Sequence, residues 1–301
     1  MGAQQLITHR NTNKKVQSVD EGITAATYAV TPTNPAFACH GQDAVLIKSP
    51  NPIVAEKRIG GSVARQSITK TREVNRVTYR GKLMTADEAL LAWCANTAAG
   101  DGTCDDSRTF FYSWDTDGGT ETFEQFLGCK PESWSLSIDG SGFIILQIEM
   151  SCKTITIDTS GPTIGAGSYG TPLTGTPLAH IDSGAAPFTY NSGALEVRNF
   201  SISGVNTMGP QDSLGSISDL YRKVTQQSYS GTAVIFKSDD TEDTDARART
   251  ERTAVYVIDT GQITMTMTRF SFMPSGEDLS GDNADVTMEN KNFECDVVAI
   301  T

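Results

Sequence analysis

Alternation of apolar and polar residues with a period of two recurs along nearly the whole chain, and it limits the fold more than any other feature. It occupies residues 77–83, 109–114, 133–138, 143–150, 197–203, 232–237, 253–258, 262–272 and 293–300. Successive side chains of a strand point to opposite faces, so this spacing predicts half-buried antiparallel strands with one dry and one wet face. Ser133, Ser135 and Ser137 interleave with Trp134, Leu136 and Ile138, and Thr264, Thr266 and Thr268 interleave with Ile263, Met265 and Met267. Asp, Gly and Ser clusters separate many of the segments and supply turns. Hydrophobic residues make up 38% of the 301, below the ~45–50% of ordinary globular domains, and there are 27 glycines. A mainly β fold of antiparallel sandwich or barrel units follows.

Two stretches break the alternation as helices. Thr85 to Glu88 reads as a capping box ahead of Leu90, Leu91, Trp93 and Cys94. Ser216 to Asp219 opens a second, shorter helix, where Ile217, Leu220, Tyr221 and Val224 fall on one face. Residues 160–193 are rich in Gly, Pro, Ser and Thr and lack periodicity, which predicts a linker or extended loop. The expected organisation is a β unit over 1–159, the linker 160–193 and a second β unit over 194–301, each unit with one helix. A faint internal echo, Ser133 to Ile138 against Asn199 to Ser203 and Phe143 onward against Thr232 onward, suggests related units.

The formal charge is −12, which opposes a protein that grips nucleic acid through its overall field. The charge is also unevenly placed: +5 over residues 1–100, −9 over 101–230 and −8 over 231–301. Arg72, Arg76, Arg80 and Lys82 share one parity of a strand, and with Lys57 and Arg58 they form the main basic stretch. Asp239, Asp240, Glu242, Asp243 and Asp245 form an acidic run expected in a loop between strands. These are the candidate contacts between copies of the chain, with solvated faces as the plainer reading. No apolar run approaches the ~18–20 residues of a spanning helix, and the amino end has neither a secretory h-region nor a myristoylation pattern.

Six cysteines are scattered without a C-x-x-C pair, and there are three histidines, His9, His40 and His180. Cys94 and Cys104 bracket a Gly/Asp loop as a candidate disulfide, with buried free thiols as the competing reading. G-x-S-x-G, H-E-x-x-H and P-loop strings are absent. Gly165 to Gly170 matches G-x-G-x-x-G, but Pro172 and Pro177 stand where a phosphate-binding helix would begin. Asp115 to Glu121 lacks the full calcium-loop spacing. The expectation is a chain with no catalytic residue, no metal and no cofactor.

The order of elements is similar to the major tail tube proteins of long-tailed bacterial or archaeal viruses. A Gly-rich basic loop around Lys57-Arg-Ile-Gly-Gly, Arg76 to Leu83, the helix Asp87 to Trp93, Gly128 to Ile138 and Phe143 to Cys152 match the first half. Leu195 to Ser203, the Leu214-Gly-Ser-Ile segment, Tyr229 to Phe236 and Asn292 to Ile300 match the second. The resemblance covers the chain from about residue 45.

It implies β-sandwich units whose inner strands join across subunits into one barrel, stacked rings, and a hollow tube in the virion tail that carries viral DNA to the host cell. The chain would be made and assembled in the host cytoplasm. Partners would be other copies of the chain, in trimeric pseudo-hexameric or hexameric rings, and other tail proteins at the tube ends. DNA would pass without tight binding along an acidic wall that repels phosphate. The alternative expectation is an adhesin or tail-tip module that recognises a surface carbohydrate.

Overall fold

The computed structural model describes residues 15–22, 38–40, 44–49, 75–95, 107–115, 121–158, 176–180, 187–209, 223–236, 241–258, 261–274 and 288–301. In chain order the first half contains β1 (Lys15–Gly22), β2 (Ala38–Cys39), β3 (Val45–Ser49) and β4 (Asn75–Lys82). A 3-10 turn over Thr85–Asp87 leads into α1 (Glu88–Ala95), followed by β5 (Ser107–Asp115), β6 (Glu121–Ile138), β7 (Ile144–Cys152) and β8 (Thr154–Asp158). The second half contains β9 (Phe188–Tyr190), β10 (Gly193–Ala194), β11 (Val197–Gly209), β12 (Lys223–Phe236), α2 (Thr241–Ala248), β13 (Arg252–Ile258), β14 (Ile263–Phe272), β15 (Met288–Cys295) and β16 (Val297–Ile300).

The antiparallel ladders connect all sixteen strands. An inner sheet runs β3-β4-β7-β6-β11-β12-β15-β14 and curls into a half-barrel. Outer layers branch from its two longest-reaching strands. The first part of β6 pairs β5 and β8 before its second part joins the inner sheet, and β14 pairs β13 and β16 before its end reaches β15. Between the layers lie the apolar faces that the alternation predicted: Val77 and Tyr79, Trp134 and Leu136, Leu146 and Ile148, Phe200 and Ile202, Ala233 and Ile235. In the second half the core is aromatic, with Phe270 stacked on Phe293 at 4.6 Å and Phe200 near-parallel to Phe293 at 5.5 Å.

The two halves repeat each other strand for strand, with an offset of eight. β1 pairs β2 and β5 as β9 pairs β10 and β13, β3–β4 repeats as β11–β12, and β4–β7 repeats as β12–β15. The helices follow the same plan, α1 after β4 and α2 after β12. Even irregularities recur. The β5–β6 register slips after Arg108↔Cys129, and the β13–β14 register slips after Arg252↔Phe270. One residue before each of those partners the backbone turns to positive φ, at Gly128 (65°) and Arg269 (52°). These are the bends where a strand leaves the outer layer for the inner sheet. Among the described strands the halves meet through one ladder, β6–β11, from Ser137↔Ser201 to Ser133↔Val205.

The structure corrects several expectations. The acidic segment expected as a loop is largely helix, since Glu242, Asp243 and Asp245 lie in α2. Its sequence opens with acidic residues that suit a helix N-terminus and has Arg247 in its last turn. Of the helix expected over 216–224, residues 216–222 lie outside the described residues, and Val224 sits in β12. The segment expected as a linker supplies β9, whose Phe188 and Tyr190 are buried, and Pro177 and Ala179 bridge to Met84 and Phe143. Short runs such as Phe-Thr-Tyr are too brief for periodicity to reveal them. The internal echo matched β6 with β11, which are neighbours on one wet face, whereas the repeat relates β6 to β14. Cys94 is a buried thiol on α1 rather than half of a bridge to Cys104, which lies outside the described residues. Among the described cysteines the bonded pair is Cys129 with Cys152.

Gly204 sits at the ladder that joins the halves, opposite Trp134. A Cβ there would lie 2.3 Å from the indole Nε1. Gly204→Ala therefore forces the buried indole aside and lowers stability by about 1–3 kcal/mol, measurable by urea denaturation.

Candidate interaction surface

The wet face of the inner sheet has a chemical grain set by strand order. Its centre is hydroxyl-rich, with Ser133, Ser135 and Ser137 on β6, Ser201 and Ser203 on β11, and Ser228, Ser230 and Thr232 on β12. Four of these hydroxyls bond to neighbouring side chains or to the backbone. Ser201 Oγ lies 2.7 Å from Thr232 Oγ1, Ser203 Oγ donates to the Ser230 carbonyl at 3.2 Å, and Ser133 Oγ donates to Glu149 at 3.0 Å. Arg76, Arg80 and Lys82 share this face on β4, as their common parity predicted, and Arg76 Nε donates to Glu132 at 3.1 Å. Glu149 on β7 and Glu294 on β15 also belong to this face. Basic and acidic groups are therefore in rough balance across it, in a chain of net charge −12.

Two edges of this sheet stand open among the described strands. β3 pairs only with β4, and its exposed Val45 and Ile47 have 41% and 55% of their surfaces accessible. At the opposite end, Ser271 and Phe272 of β14 pair β15 on one side, Met273 N donates to the Asn292 carbonyl at 2.8 Å, and Met273 is 37% exposed. Unpaired strand edges with apolar side chains are places where another strand adds. The repeat makes the two ends complementary, because β3 corresponds to β11 and β14 to β6, the two strands that join the halves.

That in-chain joint shows what such a contact uses. Beyond its backbone ladder, residues of the second half cap α1 of the first half. Asn206 Nδ2 donates to the Cys94 carbonyl at 3.2 Å and the Tyr229 hydroxyl donates to the Ala95 carbonyl at 2.9 Å. The carbonyls at the end of the helix are thereby satisfied from across the joint.

The acidic candidates on α2 are used within the chain. Arg252 Nε and Nη2 donate to both oxygens of Asp245 at 3.0 and 3.1 Å, and the Tyr190 hydroxyl donates to the same carboxylate at 2.9 Å. Asp243 and Glu289 pair with the buried Lys291 ammonium. Burial alone would lower that ammonium, but the two carboxylates outweigh it and hold it above the ordinary lysine value. Glu242 is buried. Lys57, Arg58, Arg72, Asp239 and Asp240 lie outside the described residues.

One constellation had no signal in the sequence, because its members lie far apart in the chain. Ser18 Oγ is 2.9 Å from His40 Nε2, and His40 Nδ1 is 2.8 Å from Asp87 Oδ1. Asp87 Oδ2 in turn accepts from Met84 N at 2.9 Å. The connectivity is that of a nucleophile, base and acid. Ser18 and both side chains of the His40–Asp87 pair are 0% exposed, and Tyr79 and Phe110 pack on the imidazole. So enclosed, the relay ties together β1, the chain after β2 and the 3-10 turn that leads into α1. Among the described residues no group of His, Cys, Asp and Glu is arranged to hold a metal, and no helix is long and apolar enough to cross a membrane.

Two outcomes follow. Asp87→Ala leaves a buried imidazole and an uncapped turn, and costs about 3–5 kcal/mol in chemical denaturation. Arg252 holds the Asp245 carboxyl below its usual value, so this contact stabilises the fold above the unfolded carboxylate's pKa of about 3.9 and is lost as pH falls through the depressed folded value. Asp245→Asn destabilises by about 1–3 kcal/mol at pH 7, and its deficit against the parent shrinks in melts at progressively lower pH.

A family described as phage tail tube protein matches residues 19–297. No curated protein matches the chain. That family is a structural one of the phage tail, and its membership implies homo-oligomeric assembly within the virion tail. The matched span takes in both repeats and both open edges, and the chain belongs to the phage tail tube protein family.

Proposed function

We propose that copies of this chain join edge to edge, β3 of one against β14 of the next, into closed rings that stack as a hollow tube for viral DNA. One observation carries this reading. Among the described strands every pairing in the first half recurs in the second, and the one ladder between halves, β6–β11, has its counterpart in a β14–β3 pairing that is not made within the chain. A head-to-tail contact of this kind closes into a ring when repeated around an axis. Each copy brings two units, so three copies make a ring of six related units.

The wet face of the inner sheet becomes the lumen wall. It is hydroxyl-rich and close to charge balance, in place of the acidic wall expected from composition. Ser133, Ser201, Ser203 and Thr232, already bonded to neighbouring groups, offer phosphate little new hydrogen bonding, and the carboxylates of Glu132, Glu149 and Glu294 offset the pull of Arg76, Arg80 and Lys82 on DNA. Arg76, Arg80 and Lys82 lie on the strand next to the joining edge. Lys57 and Arg58, with Arg72, Asp239 and Asp240, are assigned to contacts between adjacent subunits, where basic and acidic segments attract. Rings would assemble in the host cytoplasm, meet other tail proteins at the tube ends and deliver the genome to the host cell.

Ile47→Lys and Met273→Lys each place a charge at the joining edge. Both variants stay folded by circular dichroism and sediment as single chains, while the parent gives rings or tubes by negative-stain microscopy. Normal tubes from both variants would remove the edge assignment. Lys57→Glu with Arg58→Glu keeps rings but abolishes stacking at physiological salt. Normal tubes from this variant would remove the charge contact alone.

A further inference from the structure

Cys129 on β6 and Cys152 on β7 are bonded, and the strand pairing shows that the bond does not build the corner it spans. On one side β6 pairs β7 from Lys130↔Ser151 onward. On the other side β6 pairs β8 up to Leu127↔Thr154. These two ladders flank the pair on both sides and set Cys129 opposite Cys152 without drawing on the bond. The second half offers an internal control. Its equivalent corner has Phe270 in the place of Cys129 and the free thiol of Cys295 in the place of Cys152. There the same bend stands on packing, with Phe270 against Phe272 at 4.9 Å and against Phe293 at 4.6 Å. Burial pushes the Cys295 thiol up to about 12, which leaves it inert as a competing nucleophile.

We propose that Cys129 and Cys152 form a redox latch: the chain folds and assembles as the dithiol, and the bond closes afterwards to lock the corner where β6 passes between layers. Its timing rests on the tail-tube reading, since the host interior keeps thiols reduced and the released particle meets an oxidising medium. In the closing step the two thiols lose two protons and two electrons and form one S–S bond. Glutathione disulfide, as oxidant, is reduced to two molecules of glutathione. Cys152, with 5% of its surface exposed against 0% for Cys129, is the sulfur that meets the oxidant first, and Cys129 then displaces glutathione from it.

The test uses the full chain purified under reductant without air and then treated with oxidised glutathione. Three results are expected: loss of the mass of two hydrogens, a Cys129–Cys152 cross-linked peptide on mapping, and a thermal midpoint higher by roughly 5 °C or more with unchanged far-ultraviolet circular dichroism. Cys129→Ser should melt like the reduced parent and show no shift on oxidation. An unfolded reduced parent, a cross-link elsewhere, or a bond without a thermal shift would each overturn the latch. All of these are read on subunits before tubes are scored, so failure of the latch and failure of the tube reading are separate results.

Discussion

A strand edge that has lost water and gained no partner is the constraint on which this architecture turns. Backbone N–H and C=O groups are obligatory hydrogen-bonding groups, and a curled open sheet satisfies them everywhere except at its two ends. Within the chain, β11 covers the free edge of β6, and much else serves that contact: the glycine beneath Trp134, the capping of α1 from across the joint, and the matched hydroxyl rows. The remaining ends, β3 and β14, carry exposed Val45, Ile47 and Met273. Full closure is the one arrangement that leaves a β sheet with no edge at all.

The repeat also separates what the fold requires from what each half has chosen. Both halves keep an arginine at the register slip, Arg108 and Arg252, yet use it differently. Arg108 lies over the Trp93 ring and donates to the Ala89 carbonyl of α1, whereas Arg252 forms a forked pair with Asp245 of α2. Both need positive φ at the bend. One half uses Gly128, and the other holds Arg269 there while pairing its guanidinium with Asp296 at 3.0 Å. Glycine reaches that region without strain and arginine does not, so the second bend is maintained by its surroundings.

How much the sequence revealed depended on whether the signal was local. Alternation at Ser133 to Ile138 and Ile263 to Thr268 located core faces because each residue's burial is decided by its own strand. The helix around Leu90 to Cys94 was legible from its apolar face, although its cap lies one residue earlier than the Thr85 to Glu88 box, with Asp87 accepting from Met84 N. By contrast, Thr241 to Ala248 has almost no apolar face, and its acids are buried because Arg252 of the next strand and Tyr190 and Lys291 of strands far along the chain meet them. The Ser18–His40–Asp87 relay and the Cys129–Cys152 pair were hidden for the same reason. The repeat itself left too few identities to align, since it survives in strand pairing and backbone bends more than in side chains.

Fusing two related units into one chain has a mechanical consequence for any ring built from it. Joints of one type, β6–β11, are tethered by the polypeptide, so their halves meet at an effective concentration on the order of millimolar whatever the protein concentration. Joints of the other type have no tether and obey mass action. Strength therefore alternates around the circumference, as in a sheet of paper perforated along every second fold. Dilution or outward strain would part the ring at the untethered seams and release whole chains with their internal joint intact.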